Sequence, residues 1–559
     1  MERPSPSQAE MMPLHTRAGN PGLLRAMRED ARFILVLMLL GSFAYLFVYA
    51  GWPLLPGREY WTFLEHYYGL QTGGAFFRPV GASYLLGWFF EQGRLGMVLA
   101  MLSTYLLFLL SVYMLGLAFS RTTARIVSLI MLFHFQVTIL FLKVDGDYLL
   151  CLAMALWSVL IMRLFKMEKS FGLFLLGLAT FLPILFRQTA ILYLSAAFFP
   201  LICFGFSKKN LFKTMTIAAG FTAGLLCMLV YNQAAFGSFS FPSLSGYIPT
   251  LHVYRFGPGF SAEYGPENRN LLQLVERELL SKSVYVENRV SIKDFLEYRW
   301  DIRKFSDLLY LDRIIDRGVL FRASMESIVS RPGEFVKSIF SMILQMFVDE
   351  YSPALPVRLS KPDAAALENL DYKEMSDAGQ PIAPPSAPNP VTIHMAYSST
   401  PEAMKHLNVP RILEKERKPT AKEQSVKKKL VEAWKLFSVQ GNYNVAMIAK
   451  KVLIPIVPPM LFFLAASLLL PFVDRLRRRA RLLMVMLATA FGVIIISGLV
   501  HQFPEYRLPF DFLIVLGGVV GIQFNPWIRK LFHPVPDRGE GESAPGSLQG
   551  KAFEDRPGQ

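Results

Sequence analysis

Apolar residues run along this chain in long blocks instead of alternating with polar ones. A bilayer core needs about 20 apolar residues per helix. Reading for such blocks predicts about ten transmembrane helices, at 33–50, 95–120, 126–142, 148–165, 171–186, 189–206, 214–231, 452–473, 482–500 and 510–522. Pro183 interrupts the fifth block, and only Arg187 and Gln188 part it from the sixth. The expected fold class is an all-α polytopic membrane protein with a large mixed extracytoplasmic loop domain.

The cations between the blocks alternate. Arg25, Arg28 and Arg32 precede the first, Arg121 and Arg125 follow the second, and Arg163, Lys166 and Lys169 follow the fourth. Lys208, Lys209 and Lys213 follow the sixth, Arg475, Arg477, Arg478, Arg479 and Arg481 the eighth, and Arg529 and Lys530 the tenth. Lys and Arg collect in cytoplasmic loops, so both termini are expected in the cytoplasm of a multi-pass cell (inner, cytoplasmic) membrane protein. The same rule absorbs the net charge of +15 without invoking nucleic acid. With 53% hydrophobic and only 18% charged residues, and a mean hydropathy of +0.34, the chain is neither a disordered polymer, a coiled coil nor a disulfide scaffold over most of its length. Cys151, Cys203 and Cys227 all fall in apolar blocks and are expected to be core residues.

This topology divides the chain into a cytoplasmic segment (1–32), a transmembrane catalytic module (33–231) with a first outer loop at 51–94, a large outer domain (232–451), a second transmembrane module (452–530) and a polar tail (531–559). The outer domain opens with a turn-rich Gly/Ser/Pro stretch at 236–258, has a helical segment at 321–351 and a Pro-rich linker at 381–390. In 425–437, Val426, Leu430, Trp434 and Phe437 share one helical face and lysines take the rest. That is either an interfacial helix or a solvated connector.

Ionisable groups where spans meet the outer surface are the candidates for chemistry, because burial there calls for a partner or a ligand. The first outer loop carries Glu59-Tyr60 and Arg78-Pro79-Val80-Gly81, with Glu65 as a second carboxylate. The third hairpin reads Lys143-Val144-Asp145-Gly146-Asp147; its carboxylates either cap a helix or join Glu59 on a divalent cation. Arg187, between two apolar blocks, suits a phosphate through its planar fork or snorkels to headgroups. Asn232 ends the seventh block, and His501, Glu505, Tyr506 and Arg507 lie between the ninth and tenth.

These short motifs, in this order, resemble the GT-C superfamily of integral-membrane glycosyltransferases, in the branch with the lipid A aminoarabinose transferases and protein O-mannosyltransferases. Glu59-Tyr60 matches the acidic residue after the first span, although the family usually has Asp there. Arg78-Pro79-Val80-Gly81 matches its Arg-Pro-x-Gly turn. Asp145 or Asp147 matches the acidic entry to the fourth span, and Arg187 the Arg at the fifth/sixth tip. The segment from Asn232 to Gly237 matches its Asn-x3-Phe-Gly ending, Ser330 to Phe335 its amphipathic x-Pro-x-x-Phe segment, and Tyr506-Arg507 its late Tyr-Arg turn. The resemblance implies transfer of a sugar from a polyprenyl-phosphate-linked donor to a glycan, lipid or protein acceptor on the outer face of the membrane. It implies a base among Glu59, Asp145 and Asp147 and a donor phosphate on Arg187 and Arg507. Tyr60, Arg78, Asn232, His501, Glu505 and Tyr506 then contact substrate, membrane lipids are the surroundings, and a divalent cation is left open. Two rival readings are an O-antigen ligase or polymerase and a transporter or flippase for a lipid-linked sugar. The first lacks the acidic first-loop signal, and the second predicts mid-membrane charges and repeated halves.

Overall fold

Long apolar blocks satisfy their backbone polar groups within themselves only as helices, the one open architecture a bilayer tolerates. In chain order, α1 (Ala31–Gly51) leads through strand β1 (Leu55–Pro56) to α2 (Tyr60–Tyr67) and α3 (Val80–Glu91). Next come α4 (Gly93–Gly116), α5 (Arg121–Leu132), α6 (Phe135–Leu140), strand β2 (Lys143–Val144) and α7 (Gly146–Ile161). Helix α8 (Ser170–Phe181) tightens into a 3₁₀ turn, Leu182–Leu185; a longer 3₁₀ segment, Gln188–Phe198, continues as α9 (Phe199–Phe204), and α10 (Lys208–Phe236) follows. A second group comprises α11 (Ile248–Arg255), α12 (Pro266–Leu274), α13 (Ile292–Glu297), α14 (Val319–Ser330) and α15 (Pro332–Val348). The last group is α16 (Tyr443–Val452), α17 (Pro459–Leu469), α18 (Arg477–Val500) and α19 (Asp511–Phe524).

This computed structural model describes residues 27–51, 54–56, 60–70, 78–164, 167–237, 239, 248–281, 286, 291–297, 308, 311–316, 318–348, 421, 424–426, 428–429, 436, 443–453, 459–473, 477–500, 506–526 and 528. The expected linker at 381–390, the polar tail and most of the lysine-rich segment lie outside them. Among the described residues, four helices, α1, α4, α10 and α18, are long and apolar enough to cross a membrane, and shorter apolar helices, α7, α8 and α17 among them, accompany these. The chain is an all-α membrane protein.

Several blocks differ from their sequence reading for identifiable reasons. The third block is two helices, α5 and α6, broken at His134, whose imidazole Nε2 turns to Asp511 (3.1 Å). The sixth is mostly 3₁₀ over 11 residues. Because a 3₁₀ helix rises about 2.0 Å per residue and an α-helix about 1.5 Å, Gln188–Phe204 still extends about 31 Å, enough for a bilayer core of about 30 Å. The 51–94 segment, read from the sequence as a loop, holds α2 and α3. The turn-rich 236–258 stretch holds α11, with Pro249 in its first turn, where a missing N–H costs nothing. Cys151 and Cys203 are buried, whereas Cys227 is exposed on α10.

Helices α8 and α10 cross with their backbones in contact. A β-carbon on Gly177 would lie 2.1 Å from the Ile217 carbonyl oxygen, and one on Gly220 2.1 Å from that of Phe174. Small residues at such crossings let membrane helices pack without a hydrophobic driving force between them. Asp30, just before α1, accepts from Arg125 and Tyr113 (2.6 Å each), which ties the first helix to α5 and α4. The Arg125 bond holds the Asp30 carboxyl below its ordinary range. The second group has its own core, with Leu251, Leu271, Val319 and Leu320 among its buried members. Around that core Arg322 bonds Glu267 and Asp316 (2.9 Å each). Val426 of the lysine-rich segment is buried, and Lys429 reaches Glu91 (3.4 Å) and the Tyr68 ring (4.5 Å).

Candidate functional site

Two loops far apart in sequence are joined by backbone pairing. Strand β1, after the first helix, runs parallel to β2, with Leu55 opposite Lys143 and Pro56 opposite Val144. Glu59 follows Pro56 by three positions and lies outside the described residues; Tyr60 starts α2 and is fully buried. On the other strand Asp145 and Asp147 follow Val144 at once. The pairing therefore brings the chain leading to Glu59 beside the hairpin that carries both aspartates.

Two glycines draw the Arg187 tip onto this junction. A β-carbon on Gly81, in the Arg-Pro-x-Gly turn, would stand 2.8 Å from the Leu185 carbonyl oxygen. One on Gly146, between the aspartates, would stand 2.9 Å from that of Phe186. Only a residue without a side chain allows either approach. Arg187, next in the chain, forms an ion pair with Asp147 through Nη1, and its guanidinium carbon lies 4.0 Å from the centre of the Tyr506 ring. Arg187 is half-buried, at 19% exposure, and Asp147 is mostly buried, at 10%. Asp145 caps α7 by accepting from the Gly146 amide (2.6 Å) and also meets Lys143 Nζ (3.2 Å). Arg78 sits over the Phe63 ring at 5.6 Å.

Arg507, the neighbour of Tyr506, occupies different surroundings. Its Nε donates to Asp511 Oδ1 (2.9 Å), and its Nη2 to Asp511 Oδ2 (3.3 Å) and Gln136 Oε1 (3.2 Å). Its Nη1 donates to the Met346 carbonyl. His134 bonds the same carboxylate, and both Arg507 and Asp511 are 1% exposed. A buried charge is tolerated when paired and hydrogen-bonded this fully. The structure thus brings Asp145, Asp147, Arg187 and Tyr506 into one partly buried site and places Arg507 in a sealed cluster behind it.

Asn232 is buried near the end of α10, where its carbonyl accepts from the Gly237 amide in the helix cap. One residue earlier, Tyr231 Oη meets His66 Nε2 (2.8 Å) and donates to Tyr84 Oη (3.4 Å), with the His66 and Tyr231 rings stacked 5.9 Å apart. His501 and Glu505 lie outside the described residues. Sequence reading missed Asp511, Gln136, His134 and His66. Asp511 alone carried a signal, standing four residues after Arg507 on one helical face. Among the described residues no three His, Cys, Asp or Glu side chains gather as a metal cluster. No family model, curated protein or solved structure matches this chain.

Proposed function

We propose that the chain is a membrane glycosyltransferase that moves a sugar from a polyprenyl-phosphate donor to an acceptor hydroxyl at the outer face of the cytoplasmic membrane. The observation that carries this reading is Arg187: a partly open guanidinium, stacked on Tyr506 and paired with Asp147, at the junction of two loops. Such a cation offers two parallel donors to a phosphoryl group that displaces the carboxylate. In the proposed reaction the acceptor oxygen attacks the anomeric carbon with inversion. A carboxylate takes its proton, the bond from the anomeric carbon to the phosphate oxygen breaks, and Arg187 stabilises the charge left on the lipid phosphate. Glu59 is the proposed base. Its loop is paired to the aspartate hairpin, whereas Asp147 is engaged by Arg187 and Asp145 by the helix cap and Lys143. Glu65 is buried within α2. Arg507 positions Tyr506, its chain neighbour, from within the sealed cluster.

The finer membrane arrangement belongs to the same proposal: ten spans, both termini cytoplasmic, and 232–451 outside. The test is mass spectrometry of envelope glycolipids, glycans and proteins from cells lacking the gene, rescued by wild type or by Glu59→Gln. A sugar modification lost on deletion and restored by wild type alone is expected, with turnover of the variant down roughly 10²-fold or more. Rescue by Glu59→Gln at wild-type level contradicts the base assignment, and envelope glycans unchanged by deletion contradict the function.

A further inference from the structure

The group α11–α15 reads in sequence as part of an outer domain in water, but two of its helices present the wrong surface for that. The exposed positions of α14 before its last residue are Phe321, Met325 and Val329, the last 74% exposed. Their four-residue spacing puts them on one face, while Val319, Leu320 and Ala323 are buried in the core shared with α11 and α12. Helix α15 exposes Val336, Phe340, Leu344 and Val348, Phe340 at 69%, as one stripe, with Lys337, Ser341 and Gln345 exposed beside it. Its charges, Glu334 and Lys337, lie in its first two turns, and from Ser338 to Val348 it has none. A water-facing helix would carry its charges on that open face.

The buried face of α15 fixes its depth. Phe347 packs against Phe463 of α17 (ring centres 5.4 Å apart) and Phe491 of α18 (6.3 Å). Phe491 is nine residues before Val500, the end of that spanning helix, or about 13 Å along it. Half a bilayer core is about 15 Å. The Met346 carbonyl, near the end of α15, is bound by Arg507, just before the 3₁₀ turn Leu508–Phe510 that leads into α19. The uncharged half of α15 is therefore docked beside spanning helices, with Met342 and Met346 against Gly498 near the end of α18 and Phe347 reaching Phe491 deeper along it.

We infer that α15 is a re-entrant helix that enters the bilayer beside α17 and α18, and that its stripe at Phe340/Leu344/Val348 is covered by lipid acyl chains. Lys337 and Arg331 mark the headgroup level. Because Arg507 holds the end of α15 and is followed back along the chain by Tyr506, this lipid-contacting helix adjoins the Arg187 site. The inference does not depend on glycosyl transfer; it rests only on the bundle lying in a membrane.

The experiment uses the full chain in nanodiscs of phosphatidylcholine and phosphatidylglycerol. Cys151, Cys203 and Cys227 are replaced by Ala, and one nitroxide is placed at Lys337→Cys, Phe340→Cys or Leu344→Cys. Leu99→Cys, an exposed position of the spanning helix α4, is the control. Collision with oxygen, which partitions into lipid, is compared with collision with a water-soluble nickel chelate. Oxygen should prevail at 340 and 344 by the same ratio as at 99, and the nickel chelate at 337. Nickel prevailing at 340 and 344, or exclusion of both reagents there by another segment or a second copy, overturns the proposal while position 99 keeps its oxygen preference. Loss of that preference at position 99 overturns the membrane reading itself.

Discussion

Arg187 and Arg507 each bind an aspartate, and their surroundings touch through the neighbours Tyr506 and Arg507. The Arg187–Asp147 pair keeps 19% and 10% of its side-chain surface, while the Arg507–Asp511 pair keeps 1% on each side and adds Gln136, His134 and a backbone carbonyl. The same bond therefore does two jobs. Where the pair stays partly open, a ligand anion can replace the carboxylate with less desolvation. Where it is sealed, breaking it strands a charge in a medium that cannot solvate it.

The largest effect expected from this contrast is on folding. Asp511→Ala strands Arg507 and should destabilise by about 3–5 kcal/mol, read as a lowered unfolding temperature in detergent. Asp147→Ala should cost far less. The double variant Arg507→Met, Asp511→Leu, which removes both charges, should recover at least half of the loss. Equal costs for the two single aspartate variants would erase the distinction between the sites.

Gly81→Ala probes how the partly buried site is assembled. Its methyl would crowd the Leu185 carbonyl at 2.8 Å, so a cost of about 1–3 kcal/mol and weaker anion binding by a displaced Arg187 are expected, measured by thermal shift and by titration with inorganic phosphate. Unchanged stability and binding would show that the close approach does not position the tip.

A third test takes a buried titratable group with a neutral partner. His252 is paired with the Ser338 hydroxyl (2.9 Å), and burial pushes its pKa down from 6.5 to about 4. The unfolded chain then binds the proton more readily, so this group's contribution to stability is complete above pH 6.5 and is lost as pH falls toward 4. The loss is at most about 1.4 kcal/mol per pH unit. His252→Gln should flatten that part of the stability profile, and an unaltered profile would contradict the assignment. The smallest effect concerns the Tyr506 ring. Tyr506→Leu removes a cation–π contact of about 0.5–1 kcal/mol and should weaken phosphate binding several-fold without changing the unfolding temperature.

The sequence made some of this visible and hid the rest for physical reasons. Block length alone located the helices that became α1, α4, α10 and α18, because nothing but burial in lipid explains such runs. Pro183 announced the break after α8, and Phe236-Gly237 the end of α10, where Gly237 takes φ +71°. Helix α3 was overlooked because its apolar stretch is only 12 residues long, too short to span. The break at His134 depends on a partner 377 positions away, which no local pattern encodes. In the site, the charges Asp145, Asp147 and Arg187 were legible one by one. Their meeting was not, because it rests on the close approach of Gly81 and Gly146 to the Leu185 and Phe186 carbonyls of a separate hairpin. The separation of Arg187 from Arg507 was equally hidden, since both precede apolar blocks and only burial tells them apart.

The central claim is that Arg187 holds a lipid-linked phosphate in exchange for Asp147, and opposite shifts in affinity test it most directly. A short-chain polyprenyl phosphate is titrated into nanodisc-embedded protein, with wild type, Asp147→Asn and Arg187→Lys compared at one ionic strength. Removing the competing carboxylate in Asp147→Asn should tighten binding, and loss of the planar fork in Arg187→Lys should weaken it by about tenfold, or about 1.4 kcal/mol. Affinity unchanged in both variants, or weakened by Asp147→Asn, would contradict the account.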